Sequence, residues 1–203
     1  LPLTLLLFAG ACRFGSGVAA MALLVAASLF FYAYWDVRFL TLLVGSVMLN
    51  FGAGRAMLGN KQTSGAFLIA GIIGNLAVLG LFKYYNFLVF SFLNPFGADV
   101  GFLDIALPLG ISFFTFQQVA YLVDLHQRRV QDHTFLHYIL FVTFFPQLIA
   151  GPIVHHGEMM PQFTERKALE LNRNDLAVGL SFVIFGLFKK VIIADGLGSY
   201  VDP

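Results

Sequence analysis

The sequence is organised around residues 137–163, HYILFVTFFPQLIAGPIVHHGEMMPQF, which begin as an apolar membrane segment and then break that pattern. The uncharged run 138–154 has 17 residues, close to the shortest helix that crosses a hydrocarbon core about 30 Å thick. Pro146 and the pair Gly151 and Pro152 interrupt it, and each proline removes a backbone donor. Because lipid offers no partner for the freed carbonyls, protein or a water-filled cavity must cover them. The stretch therefore predicts a pocket or path inside a helical bundle.

Hydrogen-bonding side chains lie within and after this break. They are Gln147, His155, His156, Glu158 and Gln162. Polar groups at membrane depth are costly and usually face a bundle interior or a substrate path, so we expect these residues to line such a path. The side chains of adjacent residues diverge on any regular element, so at most one of the two histidines should face inward.

The composition is that of an integral membrane protein. Of 203 residues, 59% are hydrophobic, 11% are charged and 24 are phenylalanine, which leaves too little polar surface for a water-soluble fold. Membrane lipid is therefore an expected partner. The twelve Lys and Arg residues are spread along the chain, so we expect no nucleic-acid partner. The single cysteine, Cys12, cannot form an internal disulfide.

Seven apolar segments fill the chain, and their length without strict alternation favours helices over strands. They are Leu1 to Ala11, Val18 to Tyr34, Phe39 to Phe51, Ala66 to Phe82, Ile105 to Val123, Tyr138 to Val154 and Leu176 to Phe188. We expect an all-α, polytopic transmembrane bundle forming one domain over residues 1–203. Asn86 to Phe96 is too short to cross again and is interpreted as a helix in the interface or extending out of it.

The positive-inside rule orients the bundle if the segments alternate. One side receives Arg13, Arg55, Lys61, Arg128 and Arg129, and the other receives Arg38, Lys83, Asp99 and Asp104. The first side is therefore predicted to be cytoplasmic. Arg166, Lys167 and Arg173 follow the broken segment and prefer the cytoplasm too. A re-entrant path around Pro146 to Pro152, in and out on one face, satisfies both the prolines and the charges.

A polar stripe is predicted on the helix before the broken segment. Gln117, Tyr121, Asp124 and Arg128 recur at i, i+4, i+7 and i+11, which places them on one helical face. Asp124 and Arg128 are spaced to form an i, i+4 ion pair. One reading is that the stripe faces the cavity of the broken segment; the other is that Gln117 and Gln118 only hydrogen-bond between helices.

The remaining histidines do not indicate a metal site. His133 and His137 are spaced i, i+4 with Asp132 beside them, but the glutamate of an HExxH motif is absent. We interpret them as a solvated or interfacial loop pair and expect no metal. No serine nucleophile elbow, P-loop or GxGxxG pattern is present.

Three motifs carry a family resemblance. In chain order they are LPLGISFFTFQQVAYLVDLHQRR, FVTFFPQLIAGPIVHHGEMMPQF and GLFKKVIIADGLGSYVDP. Together they resemble the membrane-bound O-acyltransferase family, particularly its branch of bacterial alginate O-acetylation proteins.

The resemblance implies a multi-pass enzyme of the bacterial inner membrane with a central tunnel. An acetyl group would come from a cytoplasmic donor, acetyl-CoA, with no cofactor bound. Periplasmic acetyltransferase partner proteins would place it on an exopolysaccharide such as alginate. Gly151, Pro152, His155, His156 and Glu158 would help to form the tunnel wall.

The catalytic histidine of the family lies in a Trp-His-Gly setting, which this sequence lacks, since its only tryptophan is Trp35. The chain opens on Leu1 and stops at Pro203 directly after an apolar run, so we expect an N-terminal half whose catalytic histidine follows Pro203. Such a fragment should be inactive alone. The alternative function is a transporter or channel, because transporters also build their sites from broken helices. No inverted repeat is evident, which counts against it.

Overall fold

The structure, a computed structural model, is mostly helical in the parts of the chain that it describes. These are residues 2–14, 16–93, 106–130, 133–149, 151–152, 154–164 and 173–201. The helices are α1 (Pro2–Phe14), α2 (Gly17–Trp35), α3 (Val37–Gly59), α4 (Ser64–Leu79), α5 (Tyr85–Leu88), α6 (Ile111–His126), α7 (Phe135–Thr143), α8 (Phe145–Leu148), α9 (His156–Met159), α10 (Pro161–Thr164), α11 (Arg173–Leu187) and α12 (Asp195–Val201). No strand occurs within those ranges, so the predicted all-α class is confirmed.

Four helical stretches in the described ranges are long and apolar enough to span a membrane. They are Gly17–Tyr34, Val37–Gly59, Ser64–Ser91 and Arg173–Gly198. Many of their large apolar side chains point outward; Phe30, Ile69 and Phe182 are all more than half exposed, as lipid-facing residues are. Asp36 separates the first two stretches and caps α3 by accepting a hydrogen bond from the Arg38 backbone N–H at 2.9 Å.

The helix of α4 continues to Leu93 through two π-helical turns, Gly80–Tyr84 and Val89–Leu93, with α5 between them. Residues 86–93 therefore continue the helix of the fourth apolar segment, and residues 94–96 lie outside the described residues. Asp99, Asp104, Arg166 and Lys167, used above to orient the chain, lie outside the described residues.

Helix α6 is offset from the apolar segment predicted at Ile105 to Val123, since it starts later and runs on to His126. It begins at Ile111, six residues after Ile105, because Gly110 takes a left-handed φ of 69° and ends the preceding non-helical run. At its other end the Arg129 N–H donates to the Asp124 carbonyl at 2.8 Å and the Arg128 N–H to the Leu125 carbonyl at 3.1 Å. These two bonds form a Schellman cap, which stops the helix.

The predicted ion pair between Asp124 and Arg128 is wrong because of this cap. Arg128 occupies the left-handed position of the cap with φ of 60°, a conformation in which its side chain leaves the helical face. The Asp124 carboxylate instead lies 3.9 Å from Arg129 Nη1 and 2.8 Å from His155 Nδ1.

Two ends of the bundle are defined by contacts between helices. At the Leu109 end, the Tyr32 hydroxyl of α2 donates to the Leu109 carbonyl at 3.0 Å, and Lys83 Nζ donates to Ser112 Oγ of α6 at 3.3 Å. At the Arg129 end, Ser64 Oγ of α4 lies 2.9 Å from His126 Nδ1 of α6.

Helices α2, α3, α4 and α6 alternate in direction between these ends, as the positive-inside assignment assumed for them. Lys61 and Arg128, both assigned to the cytoplasm, line one cavity at the Arg129 end.

The broken segment makes an excursion along α6 and returns. It starts beside Tyr121, where His133 contacts the tyrosine hydroxyl. It then reaches the Leu109 end, where the Leu148 carbonyl oxygen lies 2.7 Å from the position that a Cβ on Gly110 would take. His155 is back at Asp124, 14 residues and about 21 Å further along α6. The segment therefore enters and leaves at the Arg129 end, in the re-entrant form that the prolines predicted.

Candidate functional site

The tip of the re-entrant segment is held by hydrogen bonds that replace those lost at the break. Helix α7 ends at Thr143. Helix α8 starts at Phe145 and has Pro146 in its first turn. The Phe145 N–H donates to Ser28 Oγ of α2 at 3.2 Å, and Gln147 Nε2 donates to the Pro152 carbonyl at 2.7 Å. The freed backbone groups thus find partners inside the protein, as an environment without water requires.

Gly151 leaves no room for a side chain at this tip. A Cβ there would lie 2.6 Å from the Gln147 Cα atom, closer than real Cβ contacts allow. Since the obstacle is backbone and cannot swing away, the close approach requires glycine. Gln147, Gly151 and Pro152 therefore form one compact turn, and they lie away from the other predicted site residues.

The base of the segment joins α6 through a carboxylate and an imidazole. Asp124 is 5% exposed, and its Oδ2 atom lies 2.8 Å from His155 Nδ1. The hydrogen bond and then the charge of Asp124 raise the pKa of His155 above its usual 6.5. Protonated His155 therefore stabilises the buried carboxylate, and this pair fixes the return of the segment to α6.

Tyr121 is the centre of a buried aromatic cluster between α6, α7 and α9. Its ring lies 4.4 Å from that of Tyr138 and 5.0 Å from that of His156, and its hydroxyl contacts His133 Nδ1. His156 also packs edge-on to Phe141 at 5.3 Å. His156 is 3% exposed whereas His155 is exposed, so the two adjacent histidines diverge as expected.

His133 and His137 are not the solvated pair that the sequence suggested. The His133 ring stacks on Phe51 of α3 at 4.5 Å, and His137 is buried. Gly54 makes the approach of α3 possible, because a Cβ there would lie 2.8 Å from Leu125 Cδ2 and 3.2 Å from His133 Cε1. Within the described residues no group of three or more potential metal ligands is found; Asp132 lies outside them.

A cavity of about 400 Å³ opens beside this cluster. It is lined by Arg129, His137, His156, Gly157, Met160, Pro161 and Thr164. Its volume is in the range of small-molecule sites, and its walls combine apolar side chains with two imidazoles and one guanidinium. The arrangement can bind a polar or anionic group near Arg129 and present imidazole nitrogens to it. Glu158 does not join this group, since its side chain is exposed.

The two adjacent glutamines of α6 differ in their partners. Gln118 Nε2 donates to Ser46 Oγ of α3 at 2.9 Å, and its Oε1 accepts from the Tyr138 hydroxyl of α7 at 3.1 Å. Gln118 therefore ties three helices together. Gln117 is 2% exposed, and its Oε1 atom has no hydrogen-bond partner among the described residues.

Two structural contacts were not foreseen from the sequence. Asn50 of α3 and Asn75 of α4 exchange side-chain hydrogen bonds of 3.2 and 2.6 Å, and both are buried. Polar residues inside apolar helices are the available signal for such bonds, since lipid cannot satisfy an amide. The sequence shows the two polar residues but does not predict that they pair with each other, because they lie 25 positions apart.

The fold and the site define a class of protein: a polytopic helical membrane protein with a polar re-entrant segment enclosed in its bundle. A family model described as the membrane-bound O-acyltransferase family matches residues 81–202, which include α6 and the whole re-entrant segment. The chain belongs to this family, so the resemblance noted in the sequence is confirmed.

Three relatives illustrate its range. A peptidoglycan O-acetyltransferase of Helicobacter pylori is 42% identical over 88% of this chain and 39% of its own length. A probable alginate O-acetylase of Pseudomonas aeruginosa is 37% identical over 89% of this chain and 36% of its own length. A teichoic acid D-alanyltransferase of Bacillus subtilis is 26% identical over 69% of this chain and 34% of its own length. The chain thus spans less than two fifths of each relative. No solved structure matches it.

Proposed function

We propose that this chain forms part of an O-acyltransferase that passes an acetyl group from a cytoplasmic donor across the bacterial inner membrane. The observation that carries the proposal is the re-entrant segment. In a chain of this family it lines, together with Arg129, an open cavity of about 400 Å³ at the predicted cytoplasmic end of the bundle. A cavity with polar groups at this end suits the entry of a polar acyl donor from the cytoplasm.

Acetyl-CoA is the proposed donor. In the transfer, the bond between the acetyl carbon and the donor sulfur breaks and a bond to an acceptor oxygen forms. The acceptor hydroxyl loses its proton, and the donor leaves as a thiol. Arg129 at the cavity supports the entry of an anionic donor, and His137 and His156 support polar contacts along the wall.

The proposed acceptor is a hydroxyl of a cell-envelope glycan, an exopolysaccharide such as alginate, reached through periplasmic acetyltransferase partners. Alginate is supported by the name of the Pseudomonas aeruginosa relative. Peptidoglycan is the second candidate, because the Helicobacter pylori peptidoglycan O-acetyltransferase shares the higher identity, 42% against 37%. In both cases an acetyl ester forms on a sugar hydroxyl.

We assign the cluster around Tyr121 to the tunnel wall and to substrate contact, and we propose that the catalytic histidine belongs to the part of the longer relatives that this chain does not span. Gln117 is a further candidate for substrate contact, since its buried Oε1 atom has no partner within the described part of the chain.

The test uses a full-length protein that contains this chain, in membranes supplied with radiolabelled acetyl-CoA. Label should appear as an acetyl ester on the exopolysaccharide or on peptidoglycan, and the two glycans are separated before counting. His156→Phe keeps the ring packing against Tyr121 and Phe141 but removes the imidazole nitrogens. We expect ester formation to fall with the inserted amount unchanged.

Label that crosses the membrane without forming an ester would identify a transporter and overturn the proposal. Complete loss of ester formation in His156→Phe, with the protein inserted and folded, would show instead that His156 is catalytic.

A further inference from the structure

A second cavity, of about 540 Å³, lies at the Arg129 end of the bundle between α3, α4 and α6. Its lining consists of Met57, Leu58, Lys61, Ser64, Leu125, His126, Arg128 and Val130. It shares no lining residue with the 400 Å³ cavity to which the proposed acyl transfer is assigned.

The lining is cationic. Lys61 and Arg128 contribute two positive charges, and no lining residue carries a carboxylate. Within the described part of the chain, neither cation forms an ion pair. Ser64 Oγ and His126 Nδ1, 2.9 Å apart, add polar groups in a fixed position.

Arg128 is held in this cavity by an unusual backbone. It is the only non-glycine residue with a positive φ among the described residues, at a cap position where glycine is the usual residue. Strain of this kind is a known feature of ligand sites, where the surrounding structure keeps the residue in place. The apolar lining residues Met57, Leu58 and Leu125 lie beside the charges, so the cavity suits a ligand with an anionic and an apolar part.

We infer that this cavity binds a phosphate group, with Lys61 and Arg128 as its charge partners. A guanidinium matches phosphate geometry through paired N–H donors, and Lys adds a point charge. Basic pockets between transmembrane helices on the cytoplasmic side bind anionic lipid headgroups, and the positive-inside rule predicts this end to be cytoplasmic. A free phosphate in the cytoplasm would offer the same chemistry. The inference does not rest on the proposed acyl transfer.

The experiment uses the full-length protein in lipid nanodiscs that contain phosphatidylglycerol or only phosphatidylcholine, with bound lipid measured by native mass spectrometry. Lys61→Gln and Arg128→Gln each remove one cation from the cavity. Arg55→Gln is the matched control, because Arg55 is an exposed cation of α3 that does not line the cavity. We expect the retention of phosphatidylglycerol to fall about fivefold in each cavity variant and to stay unchanged in the control.

A second arm adds inorganic phosphate to the same proteins in detergent and follows thermal stability. If phosphate stabilises the protein only when Lys61 and Arg128 are present, and phosphatidylglycerol is not preferred, the ligand is a free phosphate. This result also supports the inference. If neither signal depends on Lys61 and Arg128 more than on Arg55, the cavity is not a phosphate site and the inference is overturned.

Discussion

The hydrogen bond from Gln147 to the Pro152 carbonyl offers a direct test of how the re-entrant tip is held. Gln147→Met keeps the length and flexibility of the side chain and removes the donor at 2.7 Å. The bond is part-buried, with Gln147 buried and Pro152 exposed, and a polar group left without a partner away from water costs about 1–3 kcal/mol. For a domain of about 200 residues this lowers the melting temperature by about 2–12 °C.

Gln162 provides a matched control. Its Nε2 atom makes the same kind of bond, to the Glu158 carbonyl at 3.1 Å, but on the exposed surface where water can replace it. Gln162→Met should therefore change stability by less than about 0.5 kcal/mol. The two variants are compared in detergent by a thermal melt, and acetylation is measured per folded molecule at a temperature where both remain folded.

Equal melting temperatures for Gln147→Met and Gln162→Met would refute the view that the bond to Pro152 stabilises the tip. We also expect lower activity in Gln147→Met alone, since a displaced turn alters the shape of the path. Full activity together with a lowered melting point would restrict Gln147 to a structural role.

Three further predictions concern α6 and its end. Gln118→Leu should lower the melting temperature, because it leaves the Ser46 and Tyr138 hydroxyls without their partner. Gln117→Leu should leave the melting temperature unchanged or raised and should lower acetylation per folded molecule. A destabilised Gln117→Leu protein with normal specific activity would contradict this. The stabilisation by the Asp124–His155 pair should be full below the ordinary imidazole pKa of 6.5 and be lost as the pH rises through the raised pKa of His155. The difference in melting temperature between the parent and His155→Gln should therefore shrink as the pH rises above 6.5, and a constant difference would exclude the charged pair. Arg128→Gly should keep or raise the melting temperature, because glycine adopts φ of 60° without steric cost, and a clear fall would show that the backbone there is not strained.

The broken segment could be predicted because its signals are local. Pro146 and the pair Gly151 and Pro152 cannot continue a helix, and an interrupted backbone in an apolar run must be covered by protein. These two facts are enough to predict a broken segment that is covered by the rest of the protein. The direction of return also followed, since the basic residues on both sides favour one face.

Contacts across the bundle could not be predicted, because they depend on how helix ends are capped and how closely helices approach. The sequence spacing favoured Arg128 as the partner of Asp124, but the Schellman cap turned Arg128 away and brought His155, 31 residues later, to the carboxylate. His133 packs closely against Gly54 and stacks on Phe51, both on another helix. No pattern within one segment contains that information.

The hydrogen bond between Ser28 and Phe145 has a consequence for biogenesis. The seat for the tip of the excursion comes from α2 and from Gly110, both of which the ribosome delivers before residue 145. We therefore expect α2 and Gly110 to be in the membrane already when the translocon releases the interrupted backbone. A circular permutant that begins at α7 would reverse this order and expose unpaired carbonyls to lipid during synthesis. If the permutant is degraded while the parent chain accumulates normally, the fold depends on the order in which its helices are synthesised.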